Sequence, residues 1–209
     1  MTPLTFDVMT KTFTAILALS LLTISVSGQN FANQTSVFRA EYKAAFLKDQ
    51  NAPVKQDDLK YLRFYEPDSL YRVVATFEKT PRSEPFELPT SSGAKKTYVQ
   101  YGVLTFHIMG EKQTLRVYRG MELMVIPKYR NYLFLPFKDP TNGKESYGGG
   151  RYIDLTTDDI IDGSVALDFN KSYNPYCAYS AGYNCPIPPK ANHLSVPIKA
   201  GEKNFGREL

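Results

Sequence analysis

Hydrophobic and polar positions alternate with period two through much of the middle of the chain. Tyr71, Val73, Ala75 and Phe77 interleave with Arg72, Val74, Thr76 and Glu78, the pattern of a half-buried strand. The same period returns over residues 96–109, where Gly102 predicts a bend. It returns again over 113–118, beyond the turn residues Gly110, Glu111 and Lys112. Residues 121–126 are apolar and are expected to form a strand that Pro127 ends. In residues 132–137, Leu133, Leu135 and Phe137 share one face and Tyr132 and Phe134 the other. Asp139, Pro140, Thr141, Asn142 and Gly143 form a turn cluster, with Asn142-Gly143 suited to positive φ. A strand is expected to return over 145–154, and Gly148, Gly149 and Gly150 predict a bulge or a close approach of backbone or ligand. Over 164–170, Val165, Leu167 and Phe169 face one way and Ala166, Asp168 and Asn170 the other.

One segment follows a different period. Phe38, Tyr42, Ala45 and Phe46 recur at helical spacing over residues 36–48, with Thr35 or Ser36 as cap. A short helical turn starting at Asp57 or Asp58 is expected to run through Leu62. Short strands at regular spacing without intervening helices imply a mainly β fold. The expectation is an antiparallel sandwich or barrel-like sheet with one N-terminal amphipathic helix packed on it.

Residues 13–26 form an apolar run preceded by Lys11 and followed by Ser27-Gly28. It is short for a bilayer span and ends in small residues, as a signal peptide does. Cleavage is expected after Gly28, which leaves residues 29–209 as a single β-rich domain, exported to the periplasm or beyond and without a stable membrane span. A start at Met9 would give a more ordinary basic leader, and a retained anchor is the rival reading. The chain carries 15 Tyr and 13 Phe, no Trp and a formal charge of +4. No dense Lys/Arg stripe accompanies that charge, so nucleic acid is not an expected partner.

Cys177 and Cys185 are the only cysteines, and in an exported chain they are expected to form a disulfide. A catalytic thiol would need a nearby base, and His107 and His193 are the only histidines. Metal-ligand spacing is absent, and GKESYGGGRY lacks the spacing of a phosphate loop, so neither metal nor cofactor is expected.

FKDPTNGKESYGGGRY, LDFNKSYNPYCAY, NCPIPP and the terminal KAGEK, with LKYLRFYEPDSLYRVVATFE upstream, resemble the domain-of-unknown-function 1684 family of bacterial proteins. The resemblance runs from about Leu59 to Lys203. It implies the fold and the motifs but no activity. His193 stands where the family motif more often carries arginine, which argues against a shared role for it.

Alternation places Glu145, Tyr147, Gly149 and Arg151 on one face and turns Tyr152 toward the core. Residues 156–163 are short enough to make the strands on either side antiparallel neighbours. Arg151 and Asp168 would then lie side by side, and Arg151, Asp168, Asn170 and Tyr173 are the expected lining of a ligand site. Arg151 would offer its fork of donors to a carboxylate or phosphate. A bulge at the glycines would shift this register by one. The expected function is binding of a small polar or anionic ligand. A hydrolase using Asp, Tyr and Arg groups and an envelope interaction protein are the alternatives.

Overall fold

The computed structural model describes residues 29–207. The apolar run and the expected cleavage after Gly28 lie outside the described residues. Helix α1 occupies residues 29–48. The strands are β1 (Arg72–Lys79), β2 (Phe86–Pro89), β3 (Lys95–Ile108), β4 (Glu111–Gly120), β5 (Tyr132–Phe137), β6 (Arg151–Thr156), β7 (Ile160–Ile161) and β8 (Ser164–Asp168). They make one eight-stranded sheet in the order β6-β5-β4-β3-β1-β8-β7, with β2 beside β3. All pairings are antiparallel. The fold is therefore mainly β with one N-terminal helix, as the periodicity implies.

β3 is long because it serves two partners along one edge. Its first residues pair with β2 and its last with β1, and the register slips between Gln100 and Gly102 where the partner changes. The bend expected at Gly102 sits at that slip. After β8 the chain crosses to the far edge of the sheet. There the backbone N–H groups of Tyr152 and Tyr173 each donate to the other's carbonyl, at 2.9 and 3.0 Å. The crossing draws the strand order into a barrel-like curl.

One face of the curl holds the main core. Leu104, Phe106, Leu115, Val117, Leu133, Leu135, Phe137, Val165, Leu167 and Phe169 pack there. The C-terminal segment closes this core with Leu194, Val196, Ile198 and Ala200. The opposite face carries a smaller aromatic layer: Tyr98, Tyr118, Phe134 and Tyr152 with Leu88. A third cluster joins Phe46 of α1 to Ala52, Val54, Leu62, Ala178 and Tyr179.

Several expectations need correction. Residues 121–126 are not a strand: Met121–Met124 forms a short helix, α2, and Met121, Met124, Val125 and Ile126 remain exposed. Neither Thr35 nor Ser36 caps α1, because the helix already runs through both, and the Thr35 hydroxyl donates back to the Phe31 carbonyl at 3.1 Å. The returning strand begins at Arg151 rather than at 145. Residues 141–147 are wound into a knot of turns in which the Ser146 N–H donates to Thr141 O and the Gly143 N–H to Ser146 O. Gly143 has φ 78° there, as its turn requires. Gly150 has φ 96°, and a Cβ on it would meet Pro188 and the Phe137 carbonyl. The close approach read from the glycine run is therefore to the Pro188 ring and the Phe137 carbonyl.

Strands β6 and β8 are not neighbours. β6 pairs with β5, and β8 pairs with β1 and β7. The tight hairpin within residues 156–163 joins β7 to β8 instead, through Asp162 and Gly163 at φ 48° and 72°.

Candidate functional site

The alternation along β6 is opposite to the expected one. Ile153 and Leu155 belong to the main core, and Arg151 shares their parity, its guanidinium carbon 5.2 Å from the Phe137 ring centroid. Tyr152 joins the aromatic layer on the other face. Starting the strand at Arg151, after a turn at the glycines, exchanges the faces of every later residue.

Arg151 is fully buried and pairs with Asp139, Nη2 to Oδ2 at 2.8 Å, both side chains being inaccessible. It also donates to the Ile198 carbonyl at 2.8 Å and to the carbonyls of Ala200 and Glu202. Asp139 in turn accepts from the N–H groups of Thr141 (2.9 Å) and Ile198 (3.0 Å). The pair thus fastens the C-terminal segment over the core. Asp168 accepts from the Asn170 N–H at 2.9 Å and starts the 3-10 turn Phe169–Lys171. Asn170 ties this turn to residue 68: it donates to Asp68 O at 2.9 Å and accepts from Asp68 N–H at 3.0 Å. The structure therefore brings Asp168 and Asn170 together, with Arg151 elsewhere and on the other face of the sheet. Of the four expected residues, Tyr173 lines the cavity between α1 and the sheet, and the other three are not part of that lining.

That cavity, of about 710 Å³, lies between α1 and the aromatic face of the sheet. Phe38, Tyr42, Ala45 and Phe46, the face of α1 picked out by its helical spacing, form one wall. Tyr98, Phe134 and Tyr152 form the opposite wall, and Tyr183, Asn184, Cys185 and Pro186 a third. The Cys177–Cys185 disulfide holds this third wall in place. The Cys185 carbonyl accepts from Ser91 N–H at 3.0 Å, and Ile187 N–H donates to Pro89 O at 2.9 Å, docking the loop against the end of β2.

Asp154 of β6 opens into the cavity. Its Oδ1 accepts from the hydroxyls of Tyr132 (2.7 Å) and Tyr173 (2.6 Å). The residue is exposed to the cavity, yet desolvation by the adjoining walls raises its pKa against the opposing effect of the two hydrogen bonds. Burial likewise pushes the Tyr132 and Tyr173 phenols well up, and the adjacent Asp154 charge adds to it. Behind the α1 wall lies a second acid. Glu202 is fully buried and accepts from the hydroxyls of Tyr179 (2.8 Å) and Tyr42 (3.0 Å) and from Asn174 N–H (2.9 Å). Burial raises its carboxyl to about 7, although all three donors oppose the shift. Tyr42 therefore touches both the cavity and the buried acid.

Among the described residues, no group of three or more His, Cys, Asp or Glu side chains is arranged to hold a metal ion. Nor, among them, is any helix long and apolar enough to cross a membrane.

The family model described as a protein of unknown function (DUF1684) matches residues 57–203. The chain belongs to the DUF1684 family. The chain is also similar to the uncharacterized protein from gene locus rrnAC0354 of Haloarcula marismortui, known from a solution NMR structure. The two are 33% identical with a TM-score of 0.65, over 85% of this chain and 96% of that one. No curated protein matches the chain. In this DUF1684 protein the matched segment supplies Asp154, Tyr132, Tyr173 and Glu202, whereas α1 precedes it. The cavity is thus assembled from the family segment and a helix outside it.

Sequence reasoning missed Asp154, Asp139 and Glu202. Asp154 has the parity of Tyr152, and turning that tyrosine toward the core took Asp154 off the cavity face with it. Asp139 read as a turn residue, and Glu202 lies in the KAGEK motif, which carried resemblance but no stated role.

Proposed function

We propose that this is an exported DUF1684 protein whose β-domain, residues 29–209, binds a small polar ligand in the cavity between α1 and the sheet. The observation that carries this reading is Asp154. It is a carboxylate fixed by two tyrosine hydroxyls inside an aromatic-walled space large enough for a metabolite. The disulfide accords with an oxidising compartment. Arg151, on which an anionic ligand was expected to rest, is committed to Asp139 and the C-terminal carbonyls.

A thermal-shift screen of the mature protein against metabolite and glycan libraries tests the reading, with Ala45→Trp as the control that fills the cavity from α1. A ligand at about 100 times its Kd contributes about 2.7 kcal/mol, which for a domain of this size is a rise of roughly 5–10 °C. The wild type should show such a rise and Ala45→Trp should lose it. A screen without a hit, or hits that survive Ala45→Trp, would count against a cavity ligand.

Export is tested by intact mass. Protein recovered from the envelope or medium should begin after Gly28, and a mass retaining residues 13–26 would refute removal. The raised pKa of Asp154 also favours a second reading, a hydrolase with Asp154 as acid. Turnover of a screened compound, lost in Asp154→Asn with binding retained, would decide for it.

A further inference from the structure

We infer that the group the cavity recognises is a quaternary ammonium, with Asp154 as its counter-ion, an inference that rests on the cavity being a ligand site. Asp154 accepts both tyrosine hydroxyls on Oδ1 and is itself part of the cavity lining. Among the described residues, no lysine or arginine pairs with it. Asp154 is exposed to the cavity, so its charge is open to a cation there.

The walls specify which cation. Tyr98 and Phe134 stack with centroids 5.5 Å apart, Tyr152 stands nearly perpendicular to Phe134 at 4.8 Å, and Tyr173 perpendicular to Tyr152 at 5.9 Å. These four rings all line the cavity, and an aromatic face attracts a methylated ammonium. A primary ammonium has three N–H donors to satisfy, and a wall built mainly of rings offers few acceptors. A quaternary ammonium has none.

The remaining charges on the lining fit the same reading. Glu41 offsets one of Lys96 and Lys171. The Lys171 ammonium lies over the Phe38 ring, 5.7 Å from its centroid, on an exposed residue. Both lysines sit on flexible stems, whereas Asp154 is fixed by two hydrogen bonds. The lysines leave room for an anionic group at the other end of the ligand.

Isothermal titration of the mature protein with choline and with 3,3-dimethylbutan-1-ol, its neutral carbon isostere, tests the inference. Choline should bind at least ten-fold more tightly than the isostere. Asp154→Asn keeps an acceptor for both tyrosines and should remove that advantage, leaving the two compounds equal. Equal affinities in the wild type would overturn the inference. If Ala45→Trp then abolished both, the cavity would still stand as a ligand site. Absence of choline binding would also overturn it. In that case a hit from the broader screen, blocked by Ala45→Trp, would keep the cavity reading, and no hit would remove both.

Discussion

Arg151→Ala is expected to be the most destabilising single substitution at the groups described above. The guanidinium is fully buried and donates to Asp139 and to three carbonyls of the C-terminal segment, those of Ile198, Ala200 and Glu202. Truncation removes every one of these donors, and Asp139 stays behind as a buried charge without its partner. Losing one member of a buried pair costs about 3–5 kcal/mol, a large share of the roughly 5–15 kcal/mol that holds a domain together. The melting temperature should fall by roughly 10 °C or more. The C-terminal segment, which lays Leu194, Val196, Ile198 and Ala200 on the core, should exchange its amides faster. Urea denaturation of Arg151→Ala beside Lys95→Ala makes the comparison. Lys95 pairs with Glu87 on the surface, and its loss should leave the midpoint unchanged. A loss below about 1 kcal/mol for Arg151→Ala would refute the structural role and return Arg151 to consideration as a ligand group.

The second large effect is a pH dependence carried by Glu202. Burial raises its folded-state pKa from 4.5 to about 7. The folded protein therefore holds a proton that the unfolded chain has already released in that window. Stability should fall as pH rises from about 4.5 through about 7 and then level off, with a total loss of about 3 kcal/mol from this group. The sign is opposite to that of a carboxylate in a salt bridge. Asp154, raised by desolvation, adds a contribution of the same sign, so the profile of the wild type alone does not isolate Glu202. The difference between wild type and Glu202→Gln does. The Gln variant cannot ionise, keeps an acceptor for Asn174 N–H, and should gain on the wild type steadily between pH 5 and 7.5. A difference that stays constant with pH would refute the assignment. Because the Tyr42 hydroxyl touches Glu202 while its ring borders the cavity, the same titration should also be felt at the α1 wall.

The content of each element, and the side that faces the main core wherever alternation runs unbroken, follow from the order of residues alone. Leu133, Leu135 and Phe137 on β5, and Val165 and Leu167 on β8, lie on the face that their period assigns to them. The helical spacing of Phe38, Tyr42, Ala45 and Phe46 marks the face of α1 that walls the cavity. Two cysteines in a chain with an apolar leader were enough to read the disulfide. These are local properties, because period and composition are written in neighbouring residues. The site needed the tertiary structure. Which face Arg151 and Tyr152 take depends on where β6 begins, and a one-residue change at a glycine turn inverts the whole strand. Which strand neighbours β6 depends on loop closure: a hairpin within residues 156–163 gave β8 to β7 and left β6 to β5. Asp139 meets Arg151, Asn170 meets Asp68, and Tyr42 meets Glu202 across long stretches of sequence. No periodicity encodes such meetings, because they follow from how the sheet curls and where the chain end is laid across it.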